Sequence, residues 1–287
     1  MSKTIARFIA GFGRTITAPL NRVRRTSCRA TAAQYLIDKI PVQTPHGELT
    51  MYCNSRETAM YPPVYMTHEP DTLEWIDAMP ADTVFWDIGA NVGIYTMYAG
   101  LAGHRTLAFE PASSTYFTLM KNLEINKLLD HVDAYCLAFD DQTRLGKLNM
   151  AGNISGSSMH AFERDSHSWD EQINIKIAHP TLGFNIDTFI QLYDRPLPTH
   201  IKLDVDSTEK EILEGAAGLL AKGQVKSIWV EVDGALERER IQFLDHLMKG
   251  DAEILAPFED GKRWCRGATI IRKRRGVEVY DAIVWRS

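Results

Sequence analysis

Asp87, Gly89, Asn91 and Gly93 stand at alternate positions in the run Val-Phe-Trp-Asp-Ile-Gly-Ala-Asn-Val-Gly at 84–93. The apolar residues before Asp87 predict a short strand buried on both faces, and the residues from Ile94 to Ala102 predict a helix. A strand that turns through glycines into a helix leaves unpaired N–H groups and a positive dipole end aimed at one place. Such a turn receives a nucleotide-like ligand. The next predicted strand, Thr106 to Phe109, ends in Glu110. A carboxylate about 20 residues beyond the loop is placed to take the two hydroxyls of a ribose.

The dinucleotide fingerprint requires glycine at its third and sixth positions, where this chain has Asn91 and Ile94. Asp87 would also repel a pyrophosphate. It suits a ligand with a cationic group, such as the amino or sulfonium region of S-adenosylmethionine. An NAD(P)-linked oxidoreductase is the competing reading, and a non-catalytic protein that keeps a cofactor fold is the third.

A second group of candidates lies further along. In the predicted strand 200–206, side chains alternate, so Lys202, Asp204 and Asp206 share one face. Glu231 ends the following predicted strand, at 227–232. Three uses of this set stay open. Asp204 or Glu231 is a general base, its pKa raised by a like-charged neighbour; or Asp204, Asp206 and Glu231 hold Mg²⁺ through oxygen ligands; or Lys202 and Asp204 form a buried ion pair, with Asp206 an N-cap and Glu209 completing a capping box. His160, His167 and His179 lie in or near an insertion and are further candidate bases.

The elements that position these groups alternate strand and helix, which predicts a parallel sheet covered by helices on both faces. A helix is expected over 69–79, a third strand over 132–139, a strand at 173–178 and a helix from Thr208 to about Ala221. Residues 143–172 break the alternation with the run Gly-Asn-Ile-Ser-Gly-Ser-Ser at 152–158, and are expected to be a long binding or lid loop. A helix at 236–248 and strands at 252–257, 268–272 and 278–285 close the chain.

The chain has 287 residues, of which 45% are hydrophobic and 24% charged, enough for one α/β core. Its four cysteines form neither a CxxC pair nor a cluster with histidine, so no disulfide framework or zinc site is expected, and a reducing, cytoplasmic location is. Residues 1–30 carry Lys3, Arg7, Arg14, Arg22, Arg24, Arg25 and Arg29 with no acid, against a net charge of −5 for the whole chain. This segment is expected to be a flexible, solvated tail, with contact to an anionic membrane surface as the alternative. Residues 31–80 are expected to form a helix and a hairpin around Pro45-His46-Gly47, and 81–287 the main domain. The Arg272-Lys-Arg-Arg275 run lacks the interleaved aromatics that single-stranded nucleic acid requires, and no nucleic-acid partner is expected.

With these motifs in view, residues 65–235 resemble the FkbM family of methyltransferases. The resemblance rests on VFWDIGANVGIYT at 84–96, AFEP at 108–111, NIDTFI at 185–190, IKLDVDSTE at 201–209 and IWVEV at 228–232. It implies the class I methyltransferase fold, a Rossmann-like seven-stranded, mostly parallel sheet with an antiparallel C-terminal strand pair. It also implies O-methylation of a saccharide, glycolipid or related natural-product hydroxyl, with S-adenosylmethionine as the donor. Carried onto this chain, Asp87, Gly89, Asn91 and Gly93 line the methionine half of the cofactor, Glu110 holds its ribose and Asp140 faces its adenine. The chain departs from the family pattern at Asp206-Ser207-Thr208, where glutamate, glycine and a small residue are usual.

Overall fold

The computed structural model describes residues 2–158, 160–165, 173–205, 208–233, 262–265, 268–275 and 278–286. Two helices lead the chain, α1 (Ser2–Ile16) and α2 (Arg22–Tyr35), so the segment expected to be an irregular tail is helical. The reason is local. Ile5, Phe8, Ile9, Phe12 and Ile16 recur at helical spacing, and the Asn21 side chain accepts the Arg24 N–H at 3.0 Å as an N-cap. Arg29 joins the two helices, its Nη2 donating to the Arg14 carbonyl at 2.9 Å and its Nε to Thr17 Oγ1 at 2.7 Å. A carbonyl left open at the end of α1 is thereby satisfied.

β1 (Asp38–Thr44) and β2 (Gly47–Cys53) form the expected hairpin. Then follow α3 (Pro70–Asp77), β3 (Val84–Ile88), α4 (Ile94–Leu101), β4 (Arg105–Phe109), α5 (Ser113–Ile125) and β5 (Val132–Tyr135). The insertion region holds β6 (Ala138–Phe139), β7 (Arg144–Met150), β8 (Ala161–Phe162) and β9 (Ile177–Phe184). The chain continues with α6 (Ile186–Leu192), β10 (His200–Leu203), α7 (Glu209–Glu214), α8 (Ala217–Ala221), β11 (Ser227–Asp233), β12 (Lys262–Cys265), β13 (Ala268–Arg275) and β14 (Glu278–Arg286).

The main sheet runs β12-β13-β14-β11-β10-β3-β4-β5. β11, β10, β3, β4 and β5 are parallel, and β14, β13 and β12 follow antiparallel. Among the described residues this sheet has eight strands where seven were expected, β12 pairing along β13 as the edge strand. The expected helix at 236–248 and strand at 252–257 lie outside the described residues.

Phe85 and Trp86 show why the central strands are apolar throughout. Phe85 packs into a layer with Trp75, Met97, Tyr98 and Trp229, while Trp86 faces the opposite layer with Phe109, Phe139, Phe189 and Leu203. Chain direction across the sheet reverses between β3, which leads outward to β4 and β5, and β10, which leads to β11. Ligands of open α/β sheets bind at the carboxyl ends of strands flanking such a reversal.

Four elements differ from expectation. The strand expected at 173–178 starts only at Ile177 and runs to Phe184 as β9. The strand expected over 132–139 divides at Cys136, and Ala138–Phe139 joins a second sheet ordered β6-β9-β7-β8. The 143–172 loop thus contains real strands. In β7 the alternation of buried Gly146, Leu148 and Met150 with outward Leu145, Lys147 and Asn149 is a period-two signal within that stretch. The helix expected over 208–221 is interrupted after Glu214 at Gly215, where the chain runs so close to Asp140 that an added methyl would sit 2.4 Å from its carbonyl oxygen. Asp187 restarts it, its carboxylate accepting the Gly218 and Leu219 N–H groups at 2.6 and 2.7 Å.

Candidate active site

The loop after β3 is held by the backbone of its neighbours. The Gly89 and Ala90 N–H groups both donate to the Phe109 carbonyl at 3.0 Å. Gly89 (φ 83°), Asn91 (φ 49°) and Gly93 (φ 89°) take left-handed conformations, which glycine adopts freely and asparagine tolerates. A methyl on Gly93 would meet Leu119 Cδ1 at 2.4 Å, so this position also lets α4 lie against α5.

Glu110 closes the turn from the other side. Its Oε2 accepts the Asn91 N–H at 2.9 Å and its Oε1 the Ala112 N–H at 2.8 Å, which fixes the plane of the carboxylate. Asp87 is fully buried. Its Oδ2 accepts the Thr96 hydroxyl at 2.5 Å, whereas Oδ1 receives no hydrogen bond from the described residues. Burial raises the Asp87 pKa, and the Lys202 ammonium and the Thr96 hydroxyl only partly oppose it.

Lys202 lies opposite Asp87 in the β10–β3 register and is likewise buried. Its Nζ donates to Asp204 Oδ2 at 2.8 Å and stands 4.7 Å from the centre of the Tyr95 ring. Burial alone would lower the lysine pKa. The carboxylates of Asp204, Asp87 and Glu69 outweigh it and hold the group above its ordinary value. Lys202 therefore stays protonated at neutral pH. Of the three uses kept open for this set, the Lys202–Asp204 ion pair is present in the structure.

Two cavities meet at Gly89. The first, about 590 Å³, is polar, with Asn91, Tyr95, Ser158, His68, Lys202 and Asp204 on its walls. The second, about 340 Å³, is lined mainly by apolar groups including Pro111, Leu137, Phe139, Phe162 and Val205. A methyl on Gly89 would lie 1.8 Å from the Asp204 carbonyl oxygen, so the bare backbone there is what two strand ends allow. The two cavities together are elongated, apolar at one end and polar at the other, and Asp87 lines neither of them.

Glu110 lines neither cavity but stands fixed beside the loop that separates them. The structure turns Asp140 elsewhere: Arg144 Nη2 and Nε donate to its Oδ2 at 2.5 and 2.9 Å, and Asp140 lines neither cavity. Burial raises the Asp140 pKa and Arg144 opposes it. Glu231 follows directly after the Leu203–Val230 register pair, which sets its backbone level with Asp204. Asp206 and the side chain of Glu231 lie outside the described residues, and Thr208 holds the N-cap position of α7. Among the described residues no three His, Cys, Asp or Glu side chains gather at one point, and of the Mg²⁺ set expected from Asp204, Asp206 and Glu231 only the Asp204 side chain is described. His160 lines the apolar cavity, His179 lies opposite Leu148 in the second sheet and lines neither cavity, and His167 lies outside the described residues.

Several site residues have no signal in the sequence. His68 and Tyr61 come from short, aperiodic turns of the 31–80 extension. Glu69, at the start of α3, accepts the Tyr95 hydroxyl at 2.5 Å and the Thr72 hydroxyl at 3.1 Å, and so braces the wall beside Lys202. The 152–158 stretch is anchored rather than loose. Ser55 Oγ donates to the Ser155 carbonyl at 2.7 Å, Tyr61 to the Gly156 carbonyl at 3.2 Å and Ser155 Oγ to Thr118 Oγ1 at 2.5 Å. These contacts bring Ser158 over the polar cavity.

The chain is similar to several known proteins. Over 221 residues the chain is 24% identical to the 31-O-demethyl-FK506 methyltransferase FkbM of Streptomyces tacrolimicus, covering 68% of this chain and 83% of that protein. Over 189 residues it is 25% identical to the methyltransferase sdnD of Sordaria araneosa, covering 58% of this chain and 72% of that protein. The crystal structure of a methyltransferase FkbM from Methylobacillus flagellatus KT aligns with a TM-score of 0.49 and 12% identity, over 92% of this chain and 59% of that one. Residues 87–252, which run from the buried aspartate through both strands of the switch point, match the methyltransferase FkbM domain, and the chain belongs to that family.

Proposed function

We propose that this methyltransferase takes its methyl group from S-adenosylmethionine and delivers it to a hydroxyl oxygen of a saccharide, glycolipid or related natural-product acceptor. The observation that carries this reading is the pair of cavities joined at Gly89, with the Asp87 carboxylate, which lines neither cavity, buried behind the polar one at the register position opposite Lys202. The negative charge of Asp87 favours a cationic ligand. The apolar cavity suits an adenine ring, and Glu110, its plane fixed by two amides, suits the ribose hydroxyls. An oxygen acceptor is supported by the Streptomyces tacrolimicus relative, whose name specifies 31-O-demethyl-FK506.

S-adenosylmethionine supplies an already activated methyl, so the chain has mainly to orient the acceptor and keep water out. The polar cavity is where the acceptor hydroxyl sits in this reading. Asp204, oriented by Lys202, accepts its hydrogen bond and then its proton. Lys202, held protonated, cannot take that part. His68 and Tyr61, on the same wall, are placed to contact the rest of the acceptor.

Calorimetric titration of S-adenosylmethionine and its demethylated product tests the cofactor. Micromolar binding to the wild type, weakened at least about tenfold (~1.4 kcal/mol) by Asp87→Ala or Glu110→Ala, is expected. No binding to the wild type would overturn the reading. Mass spectrometry of hydroxyl-bearing acceptors then locates the transferred methyl.

A further inference from the structure

On α1, Ile5, Phe8, Ile9, Phe12 and Ile16 stand at positions i, i+3, i+4, i+7 and i+11, so all five share one side of the helix. Each is more than half exposed, from 51% for Ile9 to 75% for Phe8. α2 does not shelter them, and none of its own residues is buried. Large apolar groups gathered in one exposed stripe mark a contact surface rather than ordinary scatter.

The charge beside that stripe identifies what it contacts. Lys3, Arg7 and Arg14 project from the opposite side of α1, Arg22, Arg24, Arg25 and Arg29 follow in α2, and the first 30 residues contain no acid. An apolar face backed by cations alone is complementary to an anionic lipid surface. A second copy packed stripe to stripe would cover the apolar face but leave these cations without a counter-charge, whereas anionic headgroups supply one. At about 1.5 Å per residue, the fifteen residues of α1 reach only about 22 Å, short of the roughly 30 Å hydrocarbon layer. No described helix is long and apolar enough to cross a membrane. The geometry therefore points to α1 lying in the plane of the interface.

We propose that α1 docks the protein on anionic lipid bilayers, with Phe8 and Phe12 entering the acyl boundary and the arginines meeting headgroup phosphates. Gly11 and Gly13 strengthen the inference. Both face open space and lower the intrinsic helicity of a short segment, so contact with a surface is what stabilises the helix. Arg29, which ties α2 to the end of α1, brings the cations of the second helix to the same surface.

The test is co-sedimentation of the full chain with phosphatidylcholine vesicles and with vesicles containing about one-third phosphatidylserine. Wild type is expected to sediment with the anionic vesicles, to remain in solution with the neutral ones, and to be released as salt rises. The doubly substituted Phe8→Asp, Phe12→Asp protein, both changes being at exposed positions, is expected to lose at least about tenfold in partitioning while its far-ultraviolet dichroism and S-adenosylmethionine affinity stay unchanged. Equal sedimentation of wild type and the double variant would overturn the proposal, as would failure of wild type to bind anionic vesicles. A vesicle-free wild type that elutes as an oligomer, and a double variant that elutes as a monomer, would assign the stripe to self-association and overturn it too.

Discussion

The α-carbon of Gly89 faces the carbonyl oxygen of Asp204 so closely that an added methyl would lie 1.8 Å from it. The Asp204 N–H in turn donates to the Ile88 carbonyl at 3.1 Å, so the ends of β3 and β10 converge at the junction of the two cavities. Gly89→Ala imposes both this clash and a left-handed φ of 83° on alanine. A loss of about 2–4 kcal/mol is expected in urea unfolding, with S-adenosylmethionine affinity reduced beyond tenfold. A variant as stable as wild type would show that the strand ends are not constrained as described.

Asp87 links stability to pH. Burial places its folded pKa above its unfolded value, so the native state binds the proton more tightly between the two. The contribution to stability is fullest below the unfolded value and is lost as pH rises through the folded one. Asp87→Asn removes that dependence while keeping an oxygen for the Thr96 hydroxyl. The expected outcome is a higher Tm at neutral pH together with weaker S-adenosylmethionine binding, measured by calorimetry across pH. A lower Tm would mean that attraction to Lys202 outweighs the cost of burying the charge.

Asp204→Asn separates chemistry from cofactor binding. If Asp204 accepts the acceptor's proton, kcat should fall by about 10²–10⁴, with the cofactor dissociation constant little changed. An unchanged kcat would move the proton to another group of the polar cavity, and His68→Gln would be the next substitution.

Asp187 belongs to the NIDTFI motif, yet its two carboxylate oxygens cap the start of α8 through Gly218 and Leu219. Asp187→Ala should cost about 1–2 kcal/mol in denaturant unfolding and leave S-adenosylmethionine affinity at the wild-type level. Lost affinity at full stability would give the motif a ligand role.

The loop from Asp87 to Gly93 and its partner Glu110 are legible in the sequence because they are local. A buried strand, a turn that needs left-handed residues and a following helix are each decided within about ten residues. The same holds for the β1–β2 hairpin. The helices of residues 2–35 were legible too, since the three-and-four spacing from Ile5 to Ile16 is plain, but the density of arginine suggested a solvated tail instead. Period-two alternation in β7 was likewise present but lay inside a stretch whose glycines and serines read as a loop.

What the sequence by itself determined is the α/β class, the glycine-bearing turn after β3 and the buried carboxylate, because neighbouring residues along one chain fix strand, turn and helix. Only the tertiary structure decided which distant groups share the site. It brought His68 and Tyr61 from the extension against Lys202 and Asp204 of β10, turned Asp140 to Arg144, and left the apolar side of α1 uncovered. Those outcomes depend on how whole elements pack and on which charge reaches a buried group first, and neither is written in the spacing of residues along the chain.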